Sequence, residues 1–353
     1  MASVDDKESS PPTTFEDLGI PQSERTTAQP VTTVFGQRRK WNSLSKLEVA
    51  FLVIALLSIL STMGLTLERI VDILMNHRAG TDDFTFALVL LMSTAFCVFY
   101  IINGVFGERA FELLVFIGGV LIVLGYSIIN YTQVDPDVKR RTSKTVKLVR
   151  LILVSVFGPI DIIMGLIIAK QYFESGNLVF RTVGANLDLQ RMCRNMNLYV
   201  SVLKFDLQLQ LTLVILVLSN GTQLELTEIL VLSIGIPYSI IYTVLGWLAV
   251  RFENKIMAYI FFLGSVAEPA YIIYKIIDLS ANWQESKTNR ELLIPITVIC
   301  ASWAALGIRI ILMVTSIRAV RNFGLGLKEK AYGNTGILNR AESRDAGSYQ
   351  SMD

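Results

Sequence analysis

"VSVFGPIDIIMGLIIAKQYF", from Val154 to Phe173, decides the fold. A helix of 20 residues rises about 30 Å, the thickness of a bilayer's hydrocarbon core. Until Lys170 the stretch carries one charged side chain, Asp161, two residues after Pro159. A carboxylate at that depth is disfavoured unless it is neutral, paired or wet. The stretch therefore reads as a membrane helix with a polar partner waiting inside the protein.

The rest of the chain repeats this composition. Of 353 residues, 52% are hydrophobic and 18% charged, where a soluble domain carries about 25% charged. Apolar blocks fall at 47–67, 84–107, 111–131, 148–170, 198–219, 228–250, 256–278 and 292–317. Each block is continuous, whereas β-barrel strands alternate every other residue. The expectation is an all-α integral membrane protein, a bundle of about eight transmembrane helices over residues 45–320. Residues 1–44 and 321–353 are polar and read as disordered tails. No cleavable signal peptide is expected, because no basic start with a short apolar run opens the chain.

Lys and Arg near the span ends set the orientation. With the N-terminus inside, 16 of them lie on the cytosolic side and nine outside. Both tails are expected in the cytosol. The "VKRRTSKTVKLVR" loop at 138–150 runs against the bias. Sequons at Asn130 and Asn220 fall outside, at the very ends of spans. The choice between plasma membrane and endomembrane stays open. A net charge of +2 suggests no nucleic-acid partner. The lipid bilayer is the partner the composition implies.

The halves echo each other. "LEVAFL" at Leu47 matches "LYVSVL" at Leu198. "YIINGVFGER" at Tyr100 matches "YTVLGWLAVR" at Tyr242, and "IDII" at Ile160 matches "IRII" at Ile308. The separations are 151, 142 and 148. Four helices per copy would keep one orientation, which makes a parallel 4+4 repeat.

Ionisable residues inside spans are candidate functional sites by default. Asp161 and Glu268 lie near the midplane, each beside a proline, Pro159 or Pro269. Pro237 adds a third break, next to Tyr238. Interrupted helices at one depth build midplane sites in transporters. Asp161, Glu268 and Tyr238 are thus candidates for one shared cavity that takes a cation or a small polar ligand. Asp206 and Arg309 each sit about 12 Å from the cytosolic side at ~1.5 Å per residue, so they are candidates for a buried ion pair. Gln208 and Gln210 extend Asp206 into a polar stripe. Lys204 is expected to snorkel to the headgroups.

Catalytic signatures are missing. One histidine, His77, and three cysteines offer no ligand set for zinc or haem, and no cofactor is implied. Nucleophile-elbow and phosphate-loop motifs are absent. So are the YD and GxGD pairs of intramembrane aspartyl proteases and the DRY and NPxxY motifs of rhodopsin-like receptors. "FDLQLQLTLVIL" at Phe205 resembles the Gln/Leu cadence of XK-related lipid scramblases over a dozen residues, without their preceding Pro-Gln. That resemblance implies only lipid handling as a class of function. Three readings stand: a transporter, channel or ligand-sensing bundle; a lipid-handling protein; and a non-catalytic scaffold. The orientation predicts that protease added to sealed microsomes removes epitope tags from both ends of the chain. A protected tag would reverse the assignment.

Overall fold

Hydrocarbon offers a backbone no hydrogen-bond partner, so each apolar run closes on itself as a helix. The computed structural model describes residues 31–33, 36–75, 82–132, 141–184, 186–216, 226–281 and 293–327. A small antiparallel hairpin, β1 (Val31–Thr33) and β2 (Gly36–Arg38), precedes a helical turn at Trp41–Ser43. The first half follows as α1 (Lys46–Met75), α2 (Asp82–Phe106), α3 (Ala110–Thr132) and α4 (Arg141–Ser175). A short α5 (Asn177–Val183) leads to the second half. That half comprises α6 (Leu187–Leu216), α7 (Leu226–Arg251), α8 (Lys255–Gly264), α9 (Ala267–Ala281) and α10 (Leu293–Arg321). With α8 and α9 taken as one span, seven segments are long and apolar enough to cross a membrane. The eighth, α3, is apolar over Ala110–Gly125. The chain is an all-α, multi-pass membrane bundle.

Local chemistry sets the helix starts. At α1, Ser45 and Glu48 cap each other: the Ser45 Oγ accepts from the Glu48 N–H at 3.2 Å, and the Ser45 N–H donates to Glu48 Oε2 at 2.6 Å. This reciprocal pattern satisfies two otherwise orphaned donors. Helix α6 begins at Leu187, well before the expected 198. Its polar first turns lie ahead of the apolar block, and Asn186 Oδ1 accepts from the backbone of Asp188 and Leu189.

Each half has its own core. Phe51, Leu52, Ile101, Leu113, Phe116 and Ile168 fill the first. Tyr199, Leu203, Tyr242, Phe261 and Leu312 fill the second. Helix α6 joins the two by packing on α2 and α3 as well as on α7 and α10.

One turn occurs in both halves. After α2, the Arg109 N–H reaches back to the Gly104 carbonyl at 2.9 Å and Glu108 takes a left-handed φ of 46°. After α7, the Asn254 N–H reaches the Ala249 carbonyl at 3.0 Å and Glu253 has a φ of 52°. Both are helix ends of the Schellman type. They pair Glu108 with Glu253, so the turns match three residues away from the Tyr100/Tyr242 alignment read from sequence. Local similarity of apolar residues slid that alignment by nearly one helical turn.

Three further expectations need correction. The composition of residues 1–44 predicts disorder, but their described part is tied down. The Arg39 N–H donates to the Phe106 carbonyl at 2.9 Å, and its guanidinium pairs with Glu48 at 2.6 Å and Glu108 at 3.0 Å. Burial disfavours the Arg39 cation, yet Tyr172, Glu48 and Glu108 together hold its pKa above the usual arginine value. Beyond α10, the Gly324 N–H donates to Glu253 at 2.8 Å and Leu327 is buried, so the described start of the 321–353 tail is ordered too. Finally, Pro159 and Pro237 lie inside unbroken helices. Only Pro269 accompanies a break. It sits in the first turn of α9, where a missing N–H costs nothing.

Gly246 marks the tightest contact in the second core. A Cβ there would meet Phe261 Cε2 at 2.5 Å and the Tyr199 hydroxyl at 2.8 Å. That hydroxyl donates to the Gly246 carbonyl at 3.0 Å. Gly246→Ala is expected to cost about 1–3 kcal/mol by overpacking, read as a lower Tm in detergent. Gly64→Ala, where nothing lies within 4 Å, should leave Tm unchanged or raise it.

Candidate functional site

Three charged side chains from three helices meet in the second half. Arg309 on α10 places Nη2 3.2 Å from Asp206 Oδ2 on α6, and also contacts Glu268 on α9. Gln210, one turn beyond Asp206, donates to Asp206 Oδ2 at 2.6 Å. The Tyr242 ring lies against the guanidinium, 4.9 Å from its Cζ. All three charged groups are buried. An unpaired arginine here would carry a large desolvation cost. Two carboxylates on one cation leave the opposite surplus: with both acids ionised the cluster is anionic by one charge. Glu268 Oε1 has no hydrogen-bond partner among the described residues.

A groove of about 370 Å³ opens beside this cluster, between α6, α7 and α9. Leu213, Val214, Val231 and Ile234 form its walls, and Gln210, Ser239 and Glu268 supply polar atoms. Gly235 lets α7 lie close to Val214, which a Cβ would meet at 3.1 Å. The break between α8 and α9 shapes the far side. There the Tyr238 hydroxyl donates to the Gly264 carbonyl at 2.6 Å, taking up an acceptor that the broken helix leaves open.

Asp161 does not share this groove. It lines a separate pocket of about 30 Å³ in the first half, with Ser58, Thr62, Thr94, Cys97 and Gly158 among its neighbours. The expected common cavity of Asp161 and Glu268 is therefore wrong. Equal depth places two residues at one level but says nothing about which helices are neighbours. Gln208 also leaves the expected stripe. It is buried but does not line the groove, because residues two apart on a helix point to different sides.

Two buried polar clusters at helix ends are not signalled by the sequence reading. In one, Glu48 accepts from the Tyr172 hydroxyl at 2.6 Å and pairs with Arg39; Arg38 adds a hydrogen bond to Asn103. In the other, Glu112 on α3 receives both Arg109 at 2.9 Å and Lys204 of α6 at 2.7 Å. Lys204 does not snorkel outwards. Its Nζ lies 5.0 Å from the centre of the Phe99 ring, and Tyr100 donates to its carbonyl at 3.2 Å. An acid in the first turn of an apolar helix, as in "AFELL" and "KLEVA", was the available signal. Asn130 falls in the last turn of α3; Asn220, His77 and residues 138–140 lie outside the described residues, and residues 141–150 of the expected basic loop are the first turns of α4.

The halves correspond residue by residue at the polar sites. Ser58, Thr62 and Asp161 lie 148 positions before Asp206, Gln210 and Arg309. Ser58 hydrogen-bonds Asp161 where Asp206 pairs with Arg309. A family model described as a domain of unknown function, DUF7789, matches the chain twice, over residues 35–170 and 183–318. The two matches are also 148 apart. No curated protein and no solved structure matches the chain.

The ion cluster predicts a coupled loss. Arg309→Gln, which leaves Asp206 and Glu268 facing each other without a cation, should cost about 3–5 kcal/mol. Asp206→Asn combined with Arg309→Gln should cost less than the two single losses added. Unfolding in mixed detergent micelles measures all three, and strict additivity would show that the pair is not coupled.

Proposed function

We propose, from the premise that this chain belongs to the DUF7789 family and carries its domain twice, that it is a membrane-embedded binding protein for a lipid-like amphiphile and not an enzyme. The groove between α6, α7 and α9 carries this reading. Its volume falls within the range of small-molecule sites. Its walls are mostly aliphatic, with Tyr238 and Tyr271 among them, and Leu230 and Ile234 are exposed, so the opening faces the surrounding hydrocarbon. An apolar ligand body entering sideways from the bilayer would meet no polar barrier. Inside, Glu268 presents an unpartnered acceptor beside an anionic cluster. That favours a ligand whose polar end donates hydrogen bonds, such as a hydroxyl or an amine.

Lipid handling or lipid sensing is therefore favoured over a channel. A hydrated ion would lose its water along these walls and find few oxygens in exchange. Both tails stay cytosolic in this reading, on the Lys/Arg bias alone.

The test is retention of co-purified lipid, read by native mass spectrometry of protein released from nanodiscs. Val231→Trp fills the groove and should lower occupancy by at least about tenfold, equivalent to ~1.4 kcal/mol. Ile241→Trp lies on the same helix with an exposed side chain, away from the groove, and should retain lipid as the unaltered protein does. Equal retention in both variants would remove the groove from the function.

A further inference from the structure

The second half supplies its own cation to its buried acid; the first half does not. Arg309 stands where Asp161 stands in the other copy, and Asp206 stands where Ser58 stands. The exchange leaves Asp161 buried, 1% exposed, with one carboxylate oxygen unpartnered among the described residues. None of the residues lining its pocket is basic.

The pocket walls are suited to a positive charge. Thr62 donates its hydroxyl proton to the Ser58 carbonyl at 3.0 Å. Thr94 donates to the Leu90 and Leu91 carbonyls at 3.0 and 2.9 Å. With those protons committed to their own helices, both hydroxyls can offer only lone pairs to the pocket. Hard oxygen ligands of this kind suit hard cations such as alkali and alkaline-earth ions over soft ones such as copper or zinc. The space of about 30 Å³ holds roughly two water-sized occupants. One carboxylate charge balances one positive charge.

We propose that the Asp161 pocket is a binding site for a sodium-sized monovalent cation, held by Asp161, Thr62 and Thr94 together with one water. The site belongs to the first half and stands apart from the lipid groove of the second, so either can fail without the other. Bound cation would replace in the first half the charge that Arg309 carries in the second. Occupancy would tie α1, α2 and α4 together at the level of Gly158.

The experiment is thermal unfolding of the full chain in nanodiscs at alkaline pH, followed by tryptophan fluorescence. Sodium chloride is titrated against choline chloride at constant ionic strength. Sodium should raise Tm saturably, by about 2–4 °C, and Asp161→Asn should abolish the rise. Should Asp161→Asn fail to fold, Thr62→Val and Thr94→Val keep the carboxylate and should each weaken half-saturation by about tenfold. Identical Tm values in sodium and choline would overturn the proposal. So would a sodium effect that survives Asp161→Asn or both threonine variants, or stabilisation by acid alone with none by sodium, which would make Asp161 a simple protonated acid.

Discussion

A charge drawn into hydrocarbon must find its counter-charge within the protein, and α6 meets that demand twice. Lys204 and Asp206 are two residues apart, so they leave the helix on different sides. Lys204 turns towards the first half and Glu112; Asp206 turns towards the second half and Arg309. Each half is thus fastened to the same helix by a buried ion pair. Neither pair can be exchanged for water or for lipid at that depth, which fixes the rotation of α6 about its own axis. The groove is lined on one side by a helix whose azimuth those two pairs determine.

Most of the architecture was legible in the sequence because its cause is one-dimensional. A run of about twenty apolar residues needs a helix wherever it occurs, and all eight runs appear as helical segments, although α4 and α6 begin seven and eleven residues early and the seventh run is split into α8 and α9. Asp206 and Arg309 were also readable, since depth and opposite charge are both encoded along the chain. Azimuth is not. Asp161 and Glu268 share a level and a neighbouring proline, yet they belong to different halves. Gln208 sits two residues from Gln210 and faces elsewhere. Lys204 looked like an interface lysine because nothing in its own helix revealed Glu112 ninety-two positions earlier. Glu48 and Glu112 were overlooked for the related reason that acids at helix starts are cheap when solvated. Only the fold shows that these two are enclosed.

The two copies of the domain keep their scaffold and exchange their chemistry. Both end their second helix in the same left-handed turn at a glutamate, and in each copy that glutamate holds an outlying segment: Arg39 in one case, Gly324 in the other. The polar level between the first and fourth helices is also kept. There the first copy places a hydroxyl beside a carboxylate and the second a carboxylate beside a guanidinium. Packing differs accordingly. In the first copy the third helix lies along the fourth; in the second it is broken into α8 and α9 and packs less closely on the fourth, and the groove lies on its side facing α6 and α7.

The even helix count of the copy has an evolutionary consequence. A unit that crosses four times returns the chain to the side from which it set out. A second unit placed directly after it meets the insertion machinery in the same orientation. Tandem fusion of two such units therefore requires neither unit to insert in the opposite orientation, as an inverted repeat would. Once joined, the two units no longer have to pack as equals: one sets an arginine beside its acid, and the other leaves its acid without a basic neighbour in its pocket.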